Sequence, residues 1–467
     1  MSEVGSRVDL ATRRRVHVVA VGGYAMSAIA RYLTQLGHEV SGCDVTPGSM
    51  LDQLAAEGIT VHVGHDERHL PEACDFLSVA TAVRRDTSEI VTAAFRGIPV
   101  LSRGETMRLI AGTKSHVAVV SGTHGKTSTT AMLAHILDEA GAHPSFFVGG
   151  LLTGAGTNAR YDPAGTWLVV EGDESDHSFL DFGRSAALVT NIEPDHLDRW
   201  GDDLANLIDG FARFVDGAAG PVVLCADDPH GATLARTRPH ARTYGFSHDA
   251  YARAVEYHPV RSGCEIAIDI DGRRLGVSLQ LRGRDMAQNA LGALTLAVEL
   301  GCDPEMAAGA LGSFVGVARR FEYKATHNGA DCFDDYAHTA TEVRTTLARA
   351  REGGWKRIVA VFQPHRYTRI SRHWRDFADA FDEADVVVVT GLDPAFEDPI
   401  ANVTGELVAR AVGEHRPDVE LYYLPDWAQL VDLPWRIGQR GDCIVTLGCG
   451  SITNAHRDWA ATGMRRP

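Results

Sequence analysis

Short apolar runs that stop at a glycine or an acid alternate along this chain with stretches whose apolar positions recur three and four residues apart. The first of these runs, "RVHVVAVGG" from Arg15, predicts a buried parallel strand. "YAMSAIARYLTQLG" predicts a helix, and "EVSGCD" the next strand. "DFLSVATAV" and "IPVLS" continue the alternation as far as about Gly112. Strand–helix–strand order with short links implies a right-handed, doubly wound parallel sheet.

The pattern then starts afresh. "AGTKSHVAVVSG" predicts a new strand, and "TWLVVEGDESD", "AALVTNIEPDHLD" and "GPVVLCADD" are further β-branched runs that end in acids. "GCEIAIDIDGRRLGVSLQL" alternates in the antiparallel manner, with a hairpin turn expected at Asp271–Gly272. "MAQNALGALTLAVELG" predicts a helix capped by Gly301. After Gly316 a third α/β segment follows, with strands "DCFDDYA", "RIVAVFQ", "DVVVVTG" and "DCIVTLGCG". No repeat or long linker interrupts the series. The fold class is therefore α/β, in three domains over residues 1–113, 114–316 and 317–467.

Composition narrows the partners. The 467 residues carry a net charge of −16, which excludes a general nucleic-acid binder and leaves local phosphate sites open. Eight cysteines are scattered without C-x-x-C spacing, which argues against a zinc site and for free thiols in a reducing cytoplasm. Arg13–Arg15 before an apolar stretch imitate a secretory leader, but Gly22 and Gly23 interrupt it as a nucleotide-binding turn would. No apolar run is long enough for a membrane span, so a cytoplasmic monomer or homodimer acting on small molecules is expected.

The chemistry concentrates at "VVSGTHGKTSTTAML". Strand, glycine turn and helix together present free backbone N–H groups and a helix dipole to an anion. Gly122 and Gly125 allow close approach, Lys126 reaches the outer phosphates, and the Thr127 hydroxyl suits Mg²⁺. The spacing departs from the general phosphate-loop rule, with Val120 where a glycine is usual. Glu171 and His196 follow neighbouring strands, and ligands gather at the carboxyl ends of a parallel sheet. Thr127, Glu171 and His196 are thus candidate ligands of a hard cation. The competing reading of "EGDESD" is a solvated turn that caps the next helix.

At these residues the chain resembles the Mur ligase family. The resemblance rests on "GTHGKTSTT", "VVEGDESDHSFL", "TNIEPDHLDRW", "VLCADDP", "GVARRFE", "DDYAHTATEV" and "FQPHRYTR", in the family's order and over nearly the whole chain. It implies a Rossmann-like first domain that binds a UDP-sugar, a P-loop ATPase-like centre, and a Rossmann-like third domain that receives an amino acid. The implied reaction joins an L-amino acid, L-alanine in the nearest pattern, to the carboxylate of UDP-N-acetylmuramate through an acyl phosphate. ATP and Mg²⁺ are implied with it.

The resemblance also assigns residues. Gly122, Thr123, His124, Gly125, Lys126, Thr127 and Ser128 match the ATP loop, with Asn289, Arg320 and Asp335 as further nucleotide contacts. Gly22, Gly23, Tyr24, Ala25, Met26 and Asp44 match the UDP-sugar side. Tyr336 and His338 match residues where the third domain closes, and His365, Arg366 and Arg369 those that receive the amino acid. Lys126, His196, Arg320, His338, His365, Arg366 and Arg369 are the expected catalytic set.

Three stretches depart from the family pattern. The diphosphate loop G-x-G-G-x-G-M reads "AVGGYAM", so Ala20 and Ala25 replace glycines. "SSAI" reads "ATAV", and "HNxxN" reads "DMAQN". A methyl disfavours positive φ and crowds a phosphate, so weak UDP-N-acetylmuramate binding is expected if the loop is otherwise unchanged. The alternatives are a ligase of the same type for another carboxylate or amino acid, a P-loop switch ATPase, or a non-catalytic sugar-nucleotide sensor.

Overall fold

The computed structural model describes residues 8–260, 262–395 and 397–463. Three sheets carry the chain. The first has the strands β1 (Arg15–Val19), β2 (Glu39–Asp44), β3 (Thr60–Val63), β4 (Phe76–Val79) and β5 (Val100–Ser102) in the order β3-β2-β1-β4-β5. All its pairs are parallel. The helices α1 (Tyr24–Gln35), α2 (Ser49–Ala56) and α3 (Ser88–Phe95) make crossovers, and α4 (Arg103–Ala111) leads on to the second sheet. The leader-like stretch is therefore a buried strand and a helix. Arg31 of α1 is buried too, because its guanidinium holds Glu57 and the Asn158 amide oxygen.

The second sheet comprises β6 (His116–Ser121), β7 (Ser145–Phe147), β8 (Ala159–Arg160), β9 (Trp167–Glu171), β10 (Ala186–Val189), β11 (Val222–Cys225), β12 (Arg242–Gly245), β13 (Ala252–Val260), β14 (Gly263–Ile270) and β15 (Arg273–Leu279). Its order is β15-β14-β13-β12-β11-β10-β6-β9-β7-β8. Helix α5 (Lys126–Glu139) follows β6. With β6 between β9 and β10, the ends of three parallel strands lie side by side. The turn from β14 to β15 is Asp271–Gly272, both at positive φ as a type I′ hairpin requires. Gly301 ends its helix at φ +98°.

The third sheet has β16 (Glu322–His327), β17 (Ala330–Asp335), β18 (Arg357–Phe362), β19 (Val386–Thr390), β20 (Glu420–Leu424) and β21 (Asp442–Leu447) in the order β16-β17-β21-β18-β19-β20. Only its edge pair β16–β17 is antiparallel. Apolar clusters fill both of its faces.

Strands β3, β16 and β20 escape the hydrophobic pattern for one reason. Each is an edge strand whose residues are half-exposed, so no continuous apolar run is needed. The chain forms two compact units. One holds the first two sheets through Glu256, with Ile266–Ser278 and Gln288–Val315. The other holds Tyr257–Glu265, Leu279–Ala287 and the chain from Gly316.

Candidate active site

In the first unit, β6 ends at Ser121 and α5 begins at Lys126, so Gly122–Gly125 form the turn. Gly122 has φ +134° and Gly125 φ +81°. A methyl at Gly122 would stand 2.0 Å from Thr190 Oγ1, and one at Gly125 2.5 Å from Asn289 Oδ1. Both positions thus need glycine twice over, for conformation and for space. The loop is braced by residues just past β10. The Thr190 hydroxyl donates to the His124 carbonyl at 2.6 Å, Asn191 Nδ2 donates to the same carbonyl at 3.0 Å, and the His124 N–H donates to Asn191 Oδ1 at 2.8 Å. The Thr123 N–H donates to the Asn191 carbonyl at 2.9 Å. Ser128 is buried inside α5.

Lys126 curls back over this turn. Its Nζ donates to the Gly122 carbonyl at 2.6 Å, the Thr123 carbonyl at 3.0 Å and Glu174 Oε2 at 2.8 Å. The Thr127 hydroxyl donates to both Glu171 oxygens, at 3.1 and 3.0 Å, and the Gly149 N–H donates to Glu171 Oε2 at 2.9 Å. Asp173 and Asp176 each accept from Arg103 Nη2 at 2.6 Å. "EGDESD" is therefore a partly buried ion network, in which Asp173 and Asp176 also accept from the N–H groups of Ser175 and Ser178 as turn caps do.

Its charges are unbalanced, with four carboxylates against Lys126 and Arg103. Burial pushes Glu174 up to about 7, with Lys126 opposing and Asp173 adding repulsion. Burial disfavours the Lys126 charge, but Glu174, Asp173 and Glu171 outweigh it and raise the ammonium above its ordinary value. Asp173 is held low against burial by Arg103 and Lys126. One carboxylate, Glu174, is thus the group that takes a proton most readily.

His196 starts a short turn at φ +53°, with Nε2 3.7 Å from Asp195 Oδ2. Asn289, on the helix Arg284–Glu299, is buried with its amide against Gly125. Its neighbour Gln288 donates to Asp227 Oδ2 at 2.8 Å.

The loop between β1 and α1 lies in the same unit. Gly22 donates its N–H to Asp44 Oδ2 at 3.0 Å, and a methyl there would come within 2.8 Å of that oxygen. Gly23 is the N-cap of α1, and Tyr24 opens the helix. Met26 points into the core, whereas Ala25 is half-buried. Ala20 has φ +64°, so a residue with a side chain holds a left-handed conformation.

In the second unit, Arg319 and Arg320 both lie over the Tyr336 ring, at 5.0 and 5.4 Å. Arg319 is anchored to Asp334 at 3.0 Å. Asp335 is only 3% exposed, and accepts from the N–H groups of Phe321 and Ala337 and from Arg349. Burial raises its carboxyl, opposed by Arg349 and Arg320. His338 donates its backbone N–H to Glu342, and its ring lies 6.2 Å from that of His365.

The His365 ring Nδ1 is buried with no partner among the described residues. Burial, helped by His338, Arg369 and Arg366 and opposed by Asp393, lowers its pKa to about 4. Arg366 has φ +70°, a conformation costing about 1–3 kcal/mol that must be imposed by its surroundings. Its N–H donates to the Asp393 carbonyl at 2.9 Å, and its Nε donates to Glu397 Oε1 at 2.7 Å. Thr368 donates to Glu397 as well, through its N–H at 2.9 Å and its hydroxyl at 2.6 Å. Arg369 is half-buried in the helix Tyr367–His373.

Glu174, the Thr190–Asn191 brace, Arg103 and Glu397 carry no role in the sequence reading. Glu174 and Asn191 sit inside the quoted motifs, where a count of acids against cations was the available signal for Glu174. Arg103 and Glu397 lie outside every motif.

The comparisons with known proteins bear on the family to which the chain belongs. Family models match end to end: the Mur ligase family catalytic domain over residues 15–115, the Mur ligase middle domain over 120–297, and the Mur ligase glutamate ligase domain over 319–450. The chain belongs to the Mur ligase family and has its three-domain α/β fold.

Among its relatives, the UDP-N-acetylmuramate–L-alanine ligase of Rubrobacter xylanophilus is 41% identical over 96% of this chain and 99% of its own length. That of Saccharopolyspora erythraea is 41% identical over 94% and 91%. The crystal structure of the UDP-N-acetylmuramate–alanine ligase of Thermotoga maritima superimposes with a TM-score of 0.84 at 28% identity, covering 97% of this chain and all of that one (100%). A murein peptide ligase from Psychrobacter arcticus shares the fold, with a TM-score of 0.72 at 23% identity over 96% of this chain and 99% of that one.

Proposed function

We propose that this chain is an ATP-dependent carboxylate–amine ligase that joins L-alanine to the carboxylate of UDP-N-acetylmuramate, a cytoplasmic step of peptidoglycan precursor synthesis. The carrying observation is the braced glycine turn with Lys126 held over it. Near-full-length identity to ligases of that name supports the substrate pair.

In the first step the sugar carboxylate attacks the γ-phosphoryl group, giving an acyl phosphate and ADP. Two anions meet there, so the backbone N–H groups after Gly122, the α5 N-terminus and Lys126 stabilise the transferring group. Lys126 exchanges Glu174 for phosphate oxygens. The Thr127 hydroxyl and Glu171 carboxylate, in contact with each other, are hard oxygen donors that fit Mg²⁺, and His196 is the third candidate ligand. Mg²⁺ bound there supplies charge neutralisation for the phosphates. Arg320 and Asn289 are assigned to the nucleotide, and Gly22, Gly23, Tyr24 and Asp44 to the UDP-sugar.

In the second step the amine attacks the acyl carbon and phosphate leaves. A neutral His365 adds no positive charge where the amino acid's ammonium arrives, which sheds a proton to solvent before the amine attacks. Arg366 and Arg369 offer guanidinium forks for the amino-acid carboxylate. Arg366 already grips the Glu397 carboxylate through one edge.

The test is phosphate release from ATP with UDP-N-acetylmuramate and a panel of amino acids. Release that needs both substrates, with L-alanine preferred, is expected. Equal release without them overturns the reading. A second reading, a family ligase for another carboxylate, is favoured by Ala20 alone. Preference for a different UDP-sugar or peptide carboxylate in the same assay would establish it.

A further inference from the structure

The face of the first sheet covered by α3 buries a group of side chains that the proposed reaction does not use. A ring nitrogen of His17 on β1, the Cys43 thiol on β2 and the Glu89 carboxylate on α3 all lie within 4.8 Å of one another, and all three residues are buried. His65, in the loop after β3, completes the group. Its Nδ1 is 3.5 Å from Cys43 Sγ and 3.1 Å from Glu89 Oε2.

We propose that His17, Cys43, His65 and Glu89 form a binding site for a borderline-soft divalent cation of the Zn²⁺ class. Around a tetrahedral zinc, bond lengths of ~2.3 Å to sulfur and ~2.0–2.1 Å to nitrogen and oxygen place S and N about 3.6 Å apart and N and O about 3.3 Å apart. The His65–Cys43 and His65–Glu89 pairs, at 3.5 and 3.1 Å, already stand close to those spacings.

His17 supplies the independent observation. It is 0% exposed, and its Nε2 has no hydrogen-bond partner among the described residues. A buried, unpaired ring nitrogen is costly in a folded protein, and a cation is one partner that removes the cost. The other ring nitrogen, Nδ1, lies 2.9 Å from the Ser41 hydroxyl, the outer contact that orients a metal-bound imidazole.

The charge balance is also right. A thiolate and a carboxylate neutralise a divalent ion, and the two imidazoles bind as neutral ligands. Burial lowers the His17 pKa to about 4 and so keeps that ring in its ligating form. Binding displaces the Cys43 thiol proton to solvent as the S–metal bond forms. Sulfur and imidazole donors discriminate against Mg²⁺, so this site is separate in kind from the oxygen donors Thr127 and Glu171. His69 Nδ1, 3.3 Å from Glu89 Oε1 and stacked on His62, closes the outer side.

The test uses the full chain, stripped with a chelator and held in excess Mg²⁺ so that hard-donor sites are filled. Co²⁺ titration is expected to show one equivalent per chain with a thiolate-to-cobalt charge-transfer band, displaced by Zn²⁺. Cys43→Ser should lose the band, and His65→Ala should weaken Co²⁺ at least tenfold. Zn²⁺ should raise the Tm of the unmodified chain but of neither variant. His65 is partly exposed, so His65→Ala decides the matter if Cys43→Ser fails to fold. Absence of stoichiometric Co²⁺ uptake, a charge-transfer band retained in Cys43→Ser, or undiminished affinity in His65→Ala overturns the proposal.

Discussion

Two strand–turn–helix loops in the first unit have the same outline and different contents. After β6, the left-handed positions are filled by Gly122 and Gly125, and each lacks room for a methyl. After β1, the left-handed position is Ala20 at φ +64°, while Gly22, which also lacks room for a methyl, and the roomier Gly23 remain. The first loop is enclosed by Thr190, Asn191, Asn289 and an ion network. The second is held by Asp44, the Cys43 carbonyl and Asn158, with Leu51 packed against Gly22. A loop braced on all sides has its glycines dictated by space as well as φ. A loop whose left-handed residue is alanine keeps its shape at a cost of about 1–2 kcal/mol of backbone strain.

The largest effect should come from removing what only the braced loop has. Lys126→Ala is expected to lower the ligation rate by at least about 10²-fold, measured as phosphate release with both substrates. A loss within tenfold would erase the functional contrast between the loops.

The ion network should also make that loop pH-dependent. A carboxyl whose pKa rises from 4.5 to about 7 on folding binds its proton more tightly in the folded state. Its stabilising contribution is fully present below pH 4.5 and is lost as pH rises through about 7, on the order of 3 kcal/mol at full size, at about 1.4 kcal/mol per pKa unit. The Tm of ligand-free Glu174→Gln should therefore decline less than that of the unmodified chain between pH 4.5 and 7.5. Parallel profiles would show that Glu174 titrates normally.

A smaller effect is expected from crowding. Gly125→Ala meets Asn289 Oδ1 and a φ of +81°, so ATP affinity by calorimetry should fall about tenfold, ~1.4 kcal/mol. Unchanged affinity would mean that the loop is no more enclosed than its counterpart.

The smallest effect belongs to the loop after β1. Ala20→Gly relieves a left-handed alanine and should raise stability by about 1 kcal/mol, read from denaturant midpoints, equally at pH 5 and pH 8. Glycine's greater unfolded-state entropy offsets part of the gain, so a net loss would show that the strain is small. Calorimetric titration of the Ala20→Gly, Ala25→Gly double variant with UDP-N-acetylmuramate sharpens the point. Tenfold tighter binding would mean that the alanines crowd the diphosphate, and micromolar binding by the unmodified chain would mean that they do not.

The glycine turn, its lysine and the three α/β segments were legible because each is written locally. A buried parallel strand must be apolar, and a phosphate turn must be small. The pairing of the acids was not local. Glu171, Asp173, Glu174 and Asp176 are equivalent in a sequence, yet their partners are Thr127, Arg103, Lys126 and again Arg103. The hold of Glu397 on Arg366 spans a loop of no recognisable motif.

The sequence alone determined the sheet-and-helix alternation, the place of the glycine turn before α5 and the hairpin at Asp271–Gly272, because periodicity and turn chemistry act over a few residues. Only the tertiary structure decided which acid takes a proton, which glycines lack room for a side chain, and that His17, Cys43, His65 and Glu89 converge. Those outcomes depend on desolvation and on distances between segments that strand order brings together. The absence of a C-x-x-C motif therefore said nothing about a ligand set drawn from four separate segments.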